Sequence, residues 1–406
     1  MTAATAWQEL EQSLGRERVQ AEPGVVVPAS VEEAVEAMRW AARHHVPVVS
    51  GRHGRHDGSS PSAMRLDLSR LQATRFHEPG DLTMGVDAGI TVGELQRRLA
   101  AAHQFLPLDV AAAGQNSLGA VLACHRSGPL RHAYGTVRDF VIGIEAITAD
   151  GTLIHGGGKV VKNVAGYDVM KLLIGSRGTL AVITGVHFRV FPMPGTRETL
   201  VLGPLNWDQS EQARQWMQNS YLHPMAFELS REAGDAGLRV LVRVAGRERV
   251  RARYRREGEA WAQSHRVGCE RLEGQAEEQL WAGLQEFPAI ADGASTLRLS
   301  APPARAVPLL AQWQQQAEQD GYRFGLLGRL GLGVFAVRTT PAATPEHWQR
   351  WRRLAAAAEA WLQVEPGSAP GEAWAVGAPG LAMMRTIKQE LDPEGRLNPQ
   401  WSLADA

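Results

Sequence analysis

The spacing of apolar residues changes along the chain and sketches its elements. Val31, Ala34, Val35, Met38 and Ala42 recur at helical intervals behind Ser30, and Glu33 completes a capping-box pattern there. Short apolar runs at 24–28 and 46–49 flank this helix and predict strands. Further strands are predicted near 64–68 and 82–87. Thr91 and Glu94 repeat the capping pattern before a helix carrying Leu95 and Leu99, and Ser117 opens another that reaches 124. Residues 138–149 alternate as a strand does, and Asp150-Gly151 turns the chain into Thr152-Leu153-Ile154 as a hairpin. At the start of the chain, Trp7, Leu10 and Leu14 share one face of a short helix.

A proline- and glycine-bearing passage at 191–195 reads as a linker. Beyond it, strands are predicted at 198–203, 225–230, 238–244, 295–300, 322–327 and 332–338, and helices at 247–263, 304–319, 345–362 and 380–391. This mixture predicts an α+β unit with an antiparallel sheet. A chain of 406 residues exceeds one ordinary core, and the expected division is 16–195, 196–340 and 341–406. No internal repeat is read.

Lys+Arg and Asp+Glu both number 43, which argues against nucleic acid as the main partner. A net charge of zero also gives little colloidal repulsion, as suits a subunit of an assembly. Cys124 and Cys269 have no neighbours at metal-ligand spacing, so no iron–sulfur cluster, zinc site or other metal site is expected. Free thiols suit a reducing compartment. There is no secretory leader and no apolar run of about 20 residues, so a cytoplasmic location without a membrane span is expected.

The chemistry concentrates at 156–184, GGGKVVKNVAGYDVMKLLIGSRGTLAVIT. Glycines without Cβ let the backbone approach something flat and charged, with an apolar strand behind them, and a nucleotide cofactor is the natural occupant. The loop Gly51-Arg52-His53-Gly54-Arg55-His56-Asp57-Gly58 follows a strand. Its amides suit a pyrophosphate nest with Arg52 and Arg55 as charge partners, or they belong to a plain surface turn. The loop does not carry the G-x-G-x-x-G pattern, and Gly158-Lys159 lacks the first glycine and the Ser or Thr of a P-loop. His53 or His56 offers covalent attachment to a flavin, but hydrogen bonding to phosphate or water is the expectation. Lys159, Lys162 and Asn163 either hold a cofactor, meet a partner's acidic surface, or form a solvated rim. Arg298 either clamps a carboxylate or lies on the wet face of a half-buried strand, and the second is expected. Only His223, His265 and His347 lie beyond residue 200, so a histidine base or metal site has little support there.

Residues 128–143 (GPLRHAYGTVRDFVIG), 162–184 and 391–399 (LDPEGRLNP) resemble the p-cresol methylhydroxylase-type (PCMH-type) FAD domain of the vanillyl-alcohol oxidase superfamily. Within it, they are most similar to the flavin-binding accessory subunits of bacterial glycolate oxidase. The resemblance implies a two-subdomain PCMH-type FAD-binding domain plus an α+β cap with an antiparallel sheet. It implies that Gly51, Arg52, His53, Gly54, Arg55 and His56 hold the pyrophosphate. Pro107, Gln115, Asn116, Ser117 and Gly119 would line the FAD, and Tyr134, Gly135, Thr136, Asp139, Gly178, Val182 and Ile183 would pass its ring and ribityl chain. Asn398 would lie in the returning tail that closes the domain. The flavin would sit between the two domains, and no residue is assigned to catalysis.

The loop 51–58 is bulkier than in relatives, and the histidine-rich motif of catalytic relatives is missing from the cap. The implied role is therefore supportive: an FAD-binding subunit in a complex oxidising glycolate to glyoxylate, with a catalytic flavoprotein subunit and an iron–sulfur subunit as partners. Quinone would be the final acceptor, placing the complex at the cytoplasmic membrane through those partners. A self-sufficient 2-hydroxy acid dehydrogenase and a non-redox scaffold are the alternatives.

Overall fold

The computed structural model describes residues 3–22, 24–51, 63–159, 168–235, 237–289, 293–364 and 380–401. The first lobe has two layered sheets. The smaller runs Val19–Gln20, Val25–Val26, Met64–Leu66, Val48–Ser50, antiparallel in its first pair and parallel thereafter. The helices Ala3–Leu14 and Val31–Arg43 cover it. Ser30 caps the second of these by accepting from the Glu33 amide, while the Glu33 carboxylate turns back to the Ala29 amide. Trp40 is fully buried here, and its Nε1 donates to the Ala6 carbonyl at 2.9 Å, so its one polar atom is satisfied.

The larger sheet of this lobe is antiparallel, in the order Thr74–Glu78, Thr83–Asp87, Val182–Arg189, Val141–Ile147, Leu153–Gly157. One face packs on the helices Val92–Ala100, Leu118–Ala123 and Val169–Leu173. A bulge between Ile183 and Gly185 lets the strand Val182–Arg189 serve both cores. Ile183, Val186 and Phe188 enter this core, whereas Val182 enters the core of the small sheet beside Ile147 and Leu397.

Residues 197–364 build one eight-stranded antiparallel sheet. Its order is Gly268–Glu273, Arg197–Leu205, Leu238–Ala245, Ala226–Arg231, Arg323–Arg329, Val334–Thr340, Ser295–Ser300, Trp361–Val364. The order is palindromic about its middle: each half runs strand, helix, strand, strand, helix, strand along the chain. The topology therefore repeats although no sequence period does, because each half meets different neighbours and carries different side chains. The helices Trp207–Asn219, Glu248–His265, Pro303–Gln319 and Pro345–Ala357 cover one face around Trp313, Trp351, Phe227 and Phe324. Each such ring contributes about 1.5–3 kcal/mol on leaving water. The opposite face carries the helix Gly274–Glu286 over Ala226, Leu241 and Leu327, and further along it meets the first lobe at the helix Arg131–Tyr134.

Two expectations change here. The helix predicted to 362 ends at Ala357, Glu359 takes left-handed backbone (φ 54°), and Trp361–Val364 becomes the edge strand beside Ser295–Ser300. The alanine run favours a helix, but burial of Leu362 against the sheet wins. The large sheet consequently runs past the expected boundary at 340. The passage at 191–195 is not wholly a linker either, since Phe191–Pro192 pairs with Gln104–Phe105.

The tail returns to the first lobe. In the helix Leu381–Leu391, Ile387 and Leu391 pack on the antiparallel-sheet core. Asp392, buried, accepts from the Arg396 and Leu397 amides, and Lys388 donates to it and to the Thr179 carbonyl. Leu397 then bridges Val48 in parallel.

Candidate functional site

Asn398 ties three segments together. Its Oδ1 accepts from the Ser50 amide at 3.0 Å, and its Nδ2 donates to Ser50 Oγ at 3.2 Å and to the Arg177 carbonyl at 2.9 Å. Gly178 lies against this knot with φ +69°, and a Cβ there would stand 2.4 Å from Asn398 Nδ2. Only glycine combines that backbone with that contact. Gly51 leaves the knot at the head of the arginine- and histidine-bearing loop, and a Cβ on it would meet nothing within 4 Å.

From Gly178 the chain runs back along the helix Leu118–Ala123. The Arg177 amide donates to Ala123 and the Gly175 amide to Leu122. Ser117 caps that helix, and Gly119 presses on Ala88 and the Ile183 carbonyl, where a Cβ would find neighbours at 3.2 Å and 3.5 Å. The path ends at His125, held in left-handed backbone (φ 49°) that few non-glycine residues adopt. Arg138 lies beside it and donates to the Ile174 carbonyl at 2.6 Å.

At His125 the first lobe meets the large sheet. Burial pushes the His125 imidazole down to about 4, reinforced by Arg138, Arg131 and Arg298. Burial also lowers Arg131, with Arg329 and Arg298 adding to it. The imidazole of His132 is lowered by burial as well, and its ring packs edge-on against Phe227 of the large sheet. His125 Nε2 and His132 Nδ1 are buried without a hydrogen-bond partner. The seam is thus rich in guanidinium groups, with two neutral imidazoles whose free nitrogens face no protein donor or acceptor. Guanidinium groups beside unprotonated imidazoles suit an anion with a hydrogen-bonding group beside it.

The expected cofactor residues are spread over several places. Gly51, Gly178 and Asn398 converge on the tail knot, with Gly119, Val182 and Ile183 directly behind. Gly135, Thr136 and Asp139 form a separate capping box near the seam, where Asp139 accepts from the Thr136 amide at 2.6 Å. Tyr134 packs edge-on between Phe105 and Phe191 in a small aromatic cluster with Met225 of the large sheet. Pro107 sits in a segment held by Gln96, which bonds the Leu106 and Leu108 carbonyls. Asn116 donates to the Ala111 carbonyl, and Gln115 is exposed. Arg52, His53, Gly54, Arg55 and His56 lie outside the described residues, as do Lys162 and Asn163. A cavity of about 480 Å³ at the edge of the large sheet contains none of these residues, whereas one of about 320 Å³ around Arg75, Glu145 and His187 is lined by Gly156, Gly157, Gly158 and the candidate Lys159. Sequence reasoning passed over His125, Arg131 and Arg329. The signal available was the run HRSGPLRH, with four cationic or titratable groups in eight residues.

The residues fit a flavin dinucleotide. Among the described residues, nothing would stand within 4 Å of a Cβ on Gly51 or Gly114, and His125 Nε2 and His132 Nδ1 at the far end of the path have no hydrogen-bond partner. Sequence families agree. Residues 23–157 match the FAD binding domain, and residues 373–401 match the C-terminal domain of FAD linked oxidases. The chain is a flavoprotein of the FAD-linked oxidase fold, with FAD as its cofactor.

Its particular relatives include glycolate oxidase subunit GlcE of Escherichia coli (strain K12), 35% identical over 34% of this chain and 39% of that one. Glycolate oxidase subunit GlcD of Bacillus subtilis (strain 168) is 30% identical over 46% of this chain and 41% of that one. D-lactate dehydrogenase of Archaeoglobus fulgidus is 34% identical over 41% and 38% respectively. The chain spans about two fifths of the length of these curated relatives. Among solved structures, alkyldihydroxyacetonephosphate synthase superposes with a TM-score of 0.71 over 92% of this chain and 75% of that one, at 15% identity. This likeness shows the same fold. No helix among the described residues is long and apolar enough to cross a membrane.

Proposed function

We propose that this chain is the FAD-binding subunit of a complex that oxidises a small 2-hydroxy acid, glycolate above all, to the 2-oxo acid. The observation that supports the reading is the gathering of Arg131, Arg138 and Arg298 around a neutral His125 at the seam. Bound FAD supplies the acceptor for the substrate's hydride. Arg131 and Arg298 receive the substrate carboxylate. His125, uncharged near neutral pH, accepts the substrate hydroxyl at Nε2 in its Nδ1–H tautomer and orients the carbon that loses hydride. The loop Gly51 to His56 and the tail knot hold the diphosphate end, and the seam holds the ring end. Pro107, Gln115–Gly119, Tyr134–Asp139 and Val182–Ile183 border the path between them. Partners in this reading are a second flavoprotein subunit, itself catalytic, and an iron–sulfur subunit that carries electrons away, and the seam of this chain turns over substrate only within that assembly.

A second reading, a self-sufficient 2-hydroxy acid dehydrogenase, draws on the D-lactate dehydrogenase relative, whose identity is as high. Freshly purified chain is mixed with glycolate or D-lactate and an artificial electron acceptor, and flavin absorbance is followed. Bleaching by the chain alone supports the second reading. Bleaching only with co-purified subunits supports the first, and substrate binding in neither form rejects both.

A further inference from the structure

Two buried ionisable groups and a half-buried third come together where the large sheet meets the flavin-binding lobe. Glu228 and Arg329 are cross-strand partners in the middle of the sheet, 0% and 4% exposed. Arg329 reaches out of the sheet, donating from Nε to the Gly128 carbonyl at 3.1 Å and from Nη2 to the Ser127 carbonyl at 3.2 Å. Asp109 grips the same turn from the other side: its Oδ2 accepts from the Leu130 amide at 2.9 Å. Gly128 is pressed so closely on Asp109 that a Cβ would stand 1.8 Å from the Asp109 carbonyl oxygen. The turn 127–130 joins His125 to Arg131, so whatever fixes it fixes the placement of both at the cationic seam.

Glu228 is the anomaly. It comes no closer than 3.8 Å to Arg329, and neither of its oxygens has a hydrogen-bond partner. Asp109 Oδ1 has none either. Two ionised carboxylates beside one guanidinium would leave an uncompensated negative charge in a dry joint. Burial pushes Glu228 up to about 8 and Asp109 up to about 6. The surroundings add little else that titrates. Leu241, opposite Glu228 on the next strand, is apolar. Arg243 acts on Asp109 but is already paired with Glu277 at 2.6 Å. From the helix side, Arg131 feels Arg329, and His132 is neutral.

We propose that Arg329 is a positioning residue for the turn 127–130, and that a proton kept on Glu228 is the condition for it. While Glu228 is neutral, Arg329 spends its donors on the Ser127 and Gly128 carbonyls. When Glu228 ionises, the carboxylate recaptures Arg329, the two carbonyls lose their donors, and the turn relaxes away from the seam. The inference rests on the flavin ring lying at this seam, as proposed above.

The test uses the flavin-loaded protein. Visible circular dichroism of bound FAD is followed from pH 6.5 to 9.5 in wild type, Glu228→Gln and Arg329→Met. Wild type should show one transition centred near pH 8. Glu228→Gln should hold the low-pH signal throughout, and Arg329→Met should show the high-pH signal throughout. An unaltered transition in Glu228→Gln overturns the proposal. Infrared difference spectra of the wild type between pH 7 and 9 need no variant: a buried protonated carboxyl band must disappear on the alkaline side, and its absence at pH 7 also overturns the proposal. Failure of the flavin reading shows separately, as purified protein without flavin absorption.

Discussion

Replacing Asn398 by alanine probes the tail knot. The residue is buried, and its amide serves the Ser50 N–H, the Ser50 hydroxyl and the Arg177 carbonyl. Alanine strands the Ser50 amide and the Arg177 carbonyl, at about 1–2 kcal/mol each for buried groups without partners. The backbone there is left-handed (φ 45°), which asparagine tolerates and alanine resists by about 1 kcal/mol. The expected loss is therefore about 3–5 kcal/mol. Asn398→Gly removes the same bonds but relieves the backbone, so it should recover about 1 kcal/mol. Urea unfolding followed by tryptophan fluorescence measures both, and gel filtration reports FAD retention. Because Gly178 abuts the same amide, Gly178→Ala should cost less in the Asn398→Ala background than in wild type. An alanine variant within about 1 kcal/mol of wild type, with FAD retained, would refute the knot's role.

Other outcomes follow from the seam. Glu228 keeps its proton in the folded state up to about pH 8 but loses it near 4.5 when unfolded. Its contribution is thus full below 4.5 and declines as pH rises to 8, by at most about 1.4 kcal/mol per pH unit. Glu228→Gln should flatten stability between pH 6 and 8, and an unchanged slope in urea titrations would count against the buried proton. For His125 the sign is opposite: its folded value is depressed to about 4, so its contribution stands above 6.5 and is lost as pH falls towards 4. His125→Gln should therefore be less acid-sensitive in that window by thermal shift. Arg298→Met should weaken oxalate or glycolate binding by about 10–100-fold, as loss of a charged hydrogen bond does. Titration of the flavin spectrum reads this, and unchanged affinity would remove Arg298 from the carboxylate site.

Local chemistry was legible in the sequence where a cap or a turn announces itself. Ser30, Thr91 and Ser117 each accept the amide that their spacing promised. The helix Trp207–Asn219 escaped, although Asn206 and Gln209 form a capping box, because its sequence is mostly polar. The helix Gly274–Glu286 has no capping side chain at all, so nothing in the sequence marks its start. The seam was illegible for a different reason. Arg298 and Glu228 sit at alternating positions that look wet from within one strand. What makes them matter is the other lobe laid over that face, a contact between residues about 200 apart in sequence.

The palindromic strand order has a consequence for how strain moves through the large sheet. Among the described residues the two halves pair as strands only where Ala226–Arg231 meets Arg323–Arg329, through four residue pairs, and Glu228↔Arg329 is the first of them. The charge pair therefore occupies the suture between two near-equivalent leaves. A small rotation of one leaf against the other would shear these four residue pairs, and with them the hold of Arg329 on the Ser127 and Gly128 carbonyls of the other lobe.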